Sequence, residues 1–205
     1  MLAAAVACAL LALAAYPARS SLFTAIAGRT AASDFGPFVG LVAELGLLAL
    51  VAMAGMLALW CRLRSRRRFW LLAAAGAGVV AAYASSEGAK LLVTEARPCR
   101  AVDIATVLSC PGSGDWSWPS NHSVLAAAFA TACVLTVPRL AWPAAPVATA
   151  VAASRVGAGV HYVHDVLSGL ALGIVVVTLV VLALQPVLDR LPARTTAAGA
   201  VRGDA

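Results

Sequence analysis

The chain has 205 residues, of which 62% are hydrophobic and 12% are charged, and its mean hydropathy is +0.91. A soluble globular domain is nearer half apolar and a quarter charged, so this composition indicates a polytopic membrane protein without a sizeable soluble domain. The net charge of +6 comes from fourteen arginines and a single lysine, Lys90, set against nine acidic residues. The basic residues are scattered or lie at the ends of apolar segments, which argues against nucleic acid as a partner.

Six apolar segments predict six transmembrane helices in an all-α fold. In chain order, they are residues 2–16, 38–60, 70–93, 121–137, 141–157 and 166–184. The first is short for a bilayer core of about 30 Å and resembles the apolar region of a signal peptide, but it lacks a positively charged start, so we interpret it as a retained span. One membrane domain is expected over residues 1–188, and the polar segment 189–205 is predicted to be a disordered cytoplasmic tail.

The distribution of arginines sets the expected topology. Five of them lie in the short loop CRLRSRRRF at 61–69, which the positive-inside rule places in the cytoplasm. The loop at 94–119 is then outside, Arg139 is inside, and the stretch 154–165 is outside again. All unusual polar clusters are therefore expected on the extracytoplasmic face of the plasma (inner) membrane. The sequence carries no signal for an oligomeric state.

Two of the five cysteines, Cys99 and Cys110, share the polar loop at 94–119. In an oxidising compartment they are able to pair as a disulfide, and the sequence leaves a disulfide and two free thiols equally open. The other three lie in or beside apolar segments, where a small buried thiol is the ordinary expectation.

The first polar cluster is KLLVTEARP, at residues 90–98. Lys90 and Arg97 are seven residues apart, close to two helical turns, so a continuing helix would place them about 10 Å apart on one face. Pro98 disfavours helix at Arg97, which is therefore expected at the mouth of the site. Snorkelling to lipid headgroups is the alternative for Lys90, but apolar residues follow it. Glu87 precedes Lys90 by one turn and is predicted to pair with it.

The second cluster is WPSNH, at residues 118–122. Pro119 and Ser120 are typical of a helix start, where a hydroxyl caps exposed amides and the amides can bind an anion. A capped helix with tryptophans at the membrane interface would explain these residues equally well, but it leaves His122 without a role.

The third cluster is SRVGAGVHYVHD, at residues 154–165. His161 and Asp165 are four residues apart and are predicted to be neighbours on one helical face. An acidic partner on one imidazole nitrogen leaves the other nitrogen free to attack. The two glycines in the stretch predict a bend that brings Arg155 towards His161.

The residue types of the three clusters together predict a phosphate site. Lys90, Arg97 and Arg155 supply three positive charges, and a helix start supplies amides, which is the combination that binds a highly charged oxyanion. Two separated histidines allow one to attack phosphorus while the other protonates the departing oxygen.

A metal site is the alternative for the same residues. His122, His161, His164 and Asp165 offer enough ligands for zinc. However, three nearby cations would repel a metal ion, so we predict that the protein has neither a metal nor another cofactor.

The three clusters resemble, in order and spacing, the signatures of the type 2 phosphatidic acid phosphatase superfamily. They are Lys90 with Arg97-Pro98 after six residues, the tetrapeptide PSNH, and Ser-Arg, five residues, His, three residues, Asp. The resemblance implies that His161 is the nucleophile that forms a phosphohistidine, that Asp165 orients it, and that His122 protonates the leaving group. The phosphate-binding residues that it implies are Lys90, Arg97, Ser120, Asn121, Ser154 and Arg155.

Asn121 departs from the family pattern, because glycine is usual at that position. A side chain there narrows the pocket or adds a donor, so it bears on substrate preference. Related bacterial enzymes that act on polyprenyl diphosphates have Asp at this place, so the departure is compatible with activity. His164 belongs to no signature position, and we interpret it as structural or interfacial.

The function that the resemblance implies is a metal-independent integral membrane lipid phosphatase, similar to bacterial phosphatases of undecaprenyl diphosphate or phosphatidylglycerol phosphate. An apolar protein around the site indicates a lipid phosphate substrate, with its tail in the bilayer and its head in the pocket. A polyprenyl phosphate or diphosphate is the first choice, and phosphatidic acid or phosphatidylglycerol phosphate follows. Two alternatives stay open: a phosphotransferase that passes the group to another acceptor, and a non-catalytic membrane protein that binds lipid phosphate.

Overall fold

The computed structural model describes residues 1–190, and the regular elements within them are all helical. The α-helices are α1 (Leu2–Ala15), α2 (Arg19–Ala31), α3 (Gly36–Arg64), α4 (Arg66–Leu92), α5 (Pro98–Ala101), α6 (Asn121–Thr136), α7 (Ala141–Gly157) and α8 (Val163–Asp189). Each of the six predicted apolar segments forms a helix. The predicted tail lies outside the described residues, except that Asp189 ends α8 and Arg190 follows it.

Three helices, α3, α4 and α8, are long and apolar enough to cross a membrane. Helices α1 and α2 meet that standard only as a pair, and they are bent by 97° at the break between them. Helix α6 has 16 residues, fewer than the roughly 20 that cross a bilayer without help. By length and composition, residues 1–190 thus contain three candidate spans, or four if the bent pair is one span. The number six remains a prediction.

Helix α2 was not predicted, because two arginines and four hydroxyl residues interrupt its apolar residues. Its buried face consists of Phe23 and Ala27, which pack with Tyr162 from the loop before α8. The rings of Phe23 and Tyr162 meet edge to face with centroids 5.8 Å apart. This short helix therefore supports the loop that carries the third polar cluster.

Helix α8 lies at the centre of the bundle and packs against α1, α4 and α6. It approaches α6 closely because Gly169 and Gly173 have no side chains. A Cβ at Gly169 would lie 2.8 Å from the Ser120 carbonyl oxygen, and one at Gly173 would overlap the Val124 carbonyl oxygen. Small residues of this kind let membrane helices approach each other at backbone distance. The first turns of α6 and α8, which carry the second and third clusters, are thereby brought together.

The loop between α4 and α6 is closed by a disulfide between Cys99 and Cys110, whose Cα atoms are 5.8 Å apart. It is tied to the loop between α7 and α8 by a hydrogen bond from Leu108 N–H to Ala158 O at 3.1 Å. The disulfide resolves the choice that the sequence left open. Both loops form one end of the bundle, where all three polar clusters meet.

Candidate active site

The pair of His161 and Asp165 forms, but not on one helical face as predicted. His161 lies in the loop before α8, and Asp165 is in the first turn of that helix. The Asp165 Oδ2 atom accepts a hydrogen bond from the backbone N–H of Tyr162, the N-cap residue, at 2.8 Å. The same oxygen lies 3.3 Å from His161 Nδ1. Capping of α8 therefore positions the carboxylate beside the imidazole.

Ser117 is a third member of this cluster that the sequence analysis missed. Its fully buried Oγ donates to Asp165 Oδ2 at 2.5 Å and lies 3.4 Å from His161 Nδ1. It is a loop serine outside the three clusters, so no spacing or composition signal distinguishes it. Its hydroxyl adds a second donor to the carboxylate oxygen that faces His161.

Arg97 contacts the other imidazole nitrogen. Helix α4 ends at Leu92, so Arg97 lies on extended backbone, as Pro98 predicted. Its Nη1 lies 2.9 Å from His161 Nε2 and donates to the Val160 carbonyl oxygen at 3.0 Å. A guanidinium only donates, so a hydrogen bond here requires an unprotonated Nε2 and puts the imidazole proton on Nδ1, facing Asp165.

Burial keeps His161 neutral. The side chain is 2% exposed, and loss of solvent lowers the pKa of His161 to about 4, although the hydrogen bond and charge of Asp165 oppose this shift. The positive charges of Arg97 and Arg155 act in the same direction as burial. At neutral pH, the ring therefore has its one lone pair on Nε2, the atom that Arg97 contacts.

Lys90 and Arg97 share a carboxylate that the sequence analysis did not single out. Asp115 Oδ1 lies 3.2 Å from Lys90 Nζ and 2.9 Å from Arg97 Nη2. Partial burial would raise the pKa of Asp115, but the hydrogen bond and charge of Arg97, together with Lys90, lower it below its ordinary value. The predicted pair of Glu87 and Lys90 also forms, with 3.7 Å between Oε1 and Nζ. Acidic side chains thus hold the cations in place.

The start of α6 supplies a buried hydroxyl beside the helix-start amides. Ser120 is the N-cap residue and is fully buried, and within residues 1–190 its Oγ has no hydrogen-bond partner. The buried Arg155 Nε is likewise unpartnered in that part of the chain, while Arg155 Nη1 donates to the Ala43 carbonyl oxygen at 3.1 Å. Buried polar atoms are normally hydrogen-bonded, so these two donors fit a ligand with acceptor oxygens.

His122 is the second residue of α6 and is half-buried at the same end of the bundle. Four charged or titratable groups are close enough for their charges to act on it: Lys90, Arg97, Arg155 and His161. Both predicted histidines and all three predicted cations therefore lie near one another at this end of the bundle.

Two of the predicted phosphate-binding residues use their side chains elsewhere. Ser154 Oγ donates to the Val151 carbonyl oxygen within α7 at 2.7 Å. Asn121 accepts from Ser86 Oγ and donates to Glu87 Oε1, both at 2.6 Å, so its amide ties α6 to α4. The side chain that replaces the usual glycine is therefore directed at a neighbouring helix.

His164 lies on the opposite side of Asp165 from His161. Its Nε2 is 3.1 Å from Asp165 Oδ1 and 3.0 Å from Glu95 Oε2. These three residues are the group of possible metal ligands found in residues 1–190, with ligand atoms within 4.8 Å of one another. Arg19 Nε lies 3.7 Å from Glu95 Oε1. His164 is hydrogen-bonded to Glu95, Arg19 and Glu95 form an ion pair, and the imidazole packs against Asp165 Oδ1, so the contacts of this group are accounted for by the side chains themselves.

Comparisons with known proteins find one family model, one curated relative and one solved structure. The model of the PAP2 superfamily matches residues 71–188, which include all three polar clusters. An undecaprenyl-diphosphatase from Sulfolobus acidocaldarius is 35% identical over 95 residues, which are 46% of each chain, so the match spans about half the length of that relative. A transmembrane PAP2 type phosphatidylglycerolphosphate phosphatase from Bacillus subtilis has the same fold, with a TM-score of 0.65 and 22% identity over 93% of this chain and 98% of that one.

Proposed function

The chain belongs to the PAP2 superfamily, and on that premise we propose that it is a membrane phosphatase that hydrolyses a lipid phosphate through a phosphohistidine on His161. The observation that carries this proposal is the setting of the imidazole. Its Nδ1 faces a capped, buried carboxylate, and its Nε2 faces a guanidinium that can bind phosphate oxygens.

In the first step, Arg97 Nη1 leaves His161 Nε2 for a phosphate oxygen. The Nε2 lone pair then attacks phosphorus, an N–P bond forms, and the bond to the lipid oxygen breaks. Asp165 keeps the proton on Nδ1 and stabilises the positive charge that develops on the ring. His122 donates a proton to the departing oxygen. The phosphoryl oxygens contact the groups named above that carry positive charge or unpartnered donors: Lys90, Arg97, Arg155, the Ser120 hydroxyl and the first amides of α6.

In the second step, water attacks the phosphohistidine. His122, now unprotonated, takes a proton from the water, the N–P bond breaks, and inorganic phosphate leaves neutral His161 behind. The three cations and the helix-start amides supply the positive potential for both steps, so the scheme uses no metal. Before either step, phosphate oxygens have to displace Asp115 from Lys90 and Arg97, because the carboxylate occupies the space between those two cations.

A lipid substrate is favoured by the surroundings of the site. An apolar groove of about 880 Å³ lies between α1, α4 and α8, next to the Trp118–Pro119 segment that leads into Ser120. A groove of this size takes a substantial part of a hydrocarbon chain. A polyprenyl phosphate or diphosphate is our first choice, in line with the name of the Sulfolobus relative. Phosphatidylglycerol phosphate, as in the Bacillus protein, and phosphatidic acid are next.

We further propose six spans, with the site on the outer face of the plasma (inner) membrane. The five arginines predicted to form a loop lie instead in the last turn of α3 and the first turn of α4, on either side of Ser65. This end of the bundle is opposite the site, which suits a cytoplasmic position. The disulfide lies in the loop beside the site, which suits an oxidising compartment.

The deciding experiment is phosphate release by the purified protein in detergent. Polyprenyl diphosphate, polyprenyl phosphate, phosphatidylglycerol phosphate and phosphatidic acid are compared, with and without EDTA, for wild type and His161→Ala. We expect one lipid to be preferred, EDTA to have no effect, and His161→Ala to be inactive. Wild-type turnover by His161→Ala would refute the mechanism. Transfer of labelled phosphate to a second lipid, without release of free phosphate, would identify a phosphotransferase. Absence of turnover with every lipid of the panel would favour a binding protein.

A further inference from the structure

His164 takes no part in the scheme above, yet it touches the carboxylate on which that scheme depends. The residue is 4% exposed, and its Nε2 lies between Asp165 Oδ1 and Glu95 Oε2, at 3.1 and 3.0 Å. Arg19 lies behind Glu95, with 3.7 Å between Nε and Oε1. A continuous line of polar groups thus runs from α2, through the loop after α4, to Asp165 at the start of α8.

The two oxygens of Asp165 have very different surroundings. Oδ2 faces His161 and accepts from Ser117 Oγ and the Tyr162 N–H. Oδ1 is fully buried and has no hydrogen-bond partner within residues 1–190, and the His164 ring packs against it with Nε2 at 3.1 Å. A buried carboxylate oxygen without a donor is costly, so Oδ1 would be more stable beside the donors that now hold Oδ2. The His164 ring fills the space next to Oδ1, and its removal would leave room for the carboxylate to turn.

The His164 ring is itself held in place. It stacks on Tyr162 with a centroid distance of 5.5 Å and an interplanar angle of 22°, and Tyr16 meets it edge to face at 5.0 Å. Glu95 accepts from Nε2, and that loop is anchored by a hydrogen bond from Ser117 N–H to the Glu95 carbonyl oxygen at 2.9 Å. The imidazole is therefore fixed in both plane and direction, as a group that orients a neighbour has to be.

We propose that His164 is a positioning residue for the reaction. Glu95 accepts from His164 Nε2 and holds the ring against Asp165 Oδ1. The ring thereby keeps the carboxylate from turning, so that Oδ2 stays beside His161 Nδ1 while the His161 imidazole gains and loses positive charge. The proposal rests on the proposed function, because it assigns His164 a role through the His161–Asp165 pair. Glu95 lies in the first cluster and His164 in the third, but neither occupies a position that the family signatures specify.

The test is a double-mutant cycle on the purified protein, with the lipid phosphate that the wild type hydrolyses. His164→Ala is expected to lower kcat by about tenfold to a hundredfold, the usual effect of losing a group that orients a functional partner, with KM unchanged. His164→Gln puts an amide N–H near the position of Nε2 and is expected to recover part of kcat. In the Asp165→Asn background, His164→Ala is expected to have almost no further effect, because the two changes remove one interaction.

Val166→Ala is the matched control, since Val166 is a buried residue of the same turn that packs with Ala152 and Val156 and not with the carboxylate. It is expected to lower the melting temperature as much as His164→Ala but to keep kcat. Phosphoenzyme formation in a single turnover replaces kcat where Asp165→Asn is too slow for steady-state assay. The proposal would be overturned if kcat of His164→Ala were within twofold of wild type, or if the losses in kcat of His164→Ala and Asp165→Asn multiplied in the double variant. In either case, an inactive His161→Ala variant would leave the proposed function intact.

Discussion

Substitution of Asp115 by Asn tests how phosphate enters the site. The Asp115 carboxylate lies 2.9 Å from Arg97 Nη2 and 3.2 Å from Lys90 Nζ. Phosphate has to compete with it for both cations, so removal of its charge is expected to strengthen phosphate binding. Asn has nearly the same shape and keeps the loop in place, which separates the effect of charge from that of volume.

The magnitude follows from exposure. The Asp115 side chain is 46% exposed, so water screens both ion pairs and each is worth about 0.2–1 kcal/mol, as for surface pairs. Two such pairs amount to about 0.4–2 kcal/mol, which is about a twofold to thirtyfold change in an equilibrium constant. We therefore expect the inhibition constant of inorganic phosphate to fall by a factor in that range, and the effect to shrink in high salt.

The assay measures inhibition of lipid phosphate hydrolysis by inorganic phosphate at low and high ionic strength. Asp103→Asn is the matched control, because Asp103 is exposed in the same loop and makes no ion pair within residues 1–190. It removes the same charge, so its inhibition constant should stay close to that of wild type. Weaker phosphate binding by Asp115→Asn would refute the reasoning, since it would mean that the carboxylate organises Lys90 and Arg97 for phosphate instead of competing with it.

Three further predictions follow from the geometry. Asp165→Asn should fold but form phosphoenzyme at least about a hundredfold more slowly, because the amide is not a charged acceptor for the proton on His161 Nδ1. Rapid-quench labelling measures this rate, and an unchanged rate would exclude the role of Asp165. Burial lowers the pKa of His161 to about 4, so protonation of His161 should limit kcat/KM only near that pH. The unfolded state, in which the pKa is about 6.5, binds the extra proton between about pH 4 and 6.5, so the stability of the fold should rise with pH across that window. A pH titration of activity and of melting temperature checks both expectations, and a loss of activity on the acid side already at about pH 6.5 would contradict the first. Gly173→Ala should destabilise the protein by about 1–3 kcal/mol through overlap with the Val124 carbonyl, whereas Gly76→Ala, where an added Cβ meets nothing within 4 Å, should not lower the melting temperature.

Many features of this protein follow from local sequence alone. Apolar segments identify helices whatever their neighbours are, because backbone groups in a membrane have to be satisfied within each helix. The pairing of Glu87 with Lys90 is likewise local, since residues three apart on a helix are neighbours. The end of α4 before Pro98 follows from the steric effect of proline on the preceding residue. The order and spacing of the three clusters were enough to indicate the family.

Only the tertiary structure decides which loop residues meet. Ser117 reaches Asp165, Asp115 reaches Lys90, and Glu95 reaches His164, across 48, 25 and 69 residues of chain. These contacts depend on how closely α6 and α8 approach and on how the disulfide-closed loop folds over them. The spacing of residues along the chain does not predict these contacts, because it specifies neighbours only within one helix. For that reason the sequence was enough to predict His161, Asp165 and Arg97 as members of one site, whereas the contacts of Ser117, Asp115 and Glu95 with them and with their neighbours depend on the packing of the helices and loops.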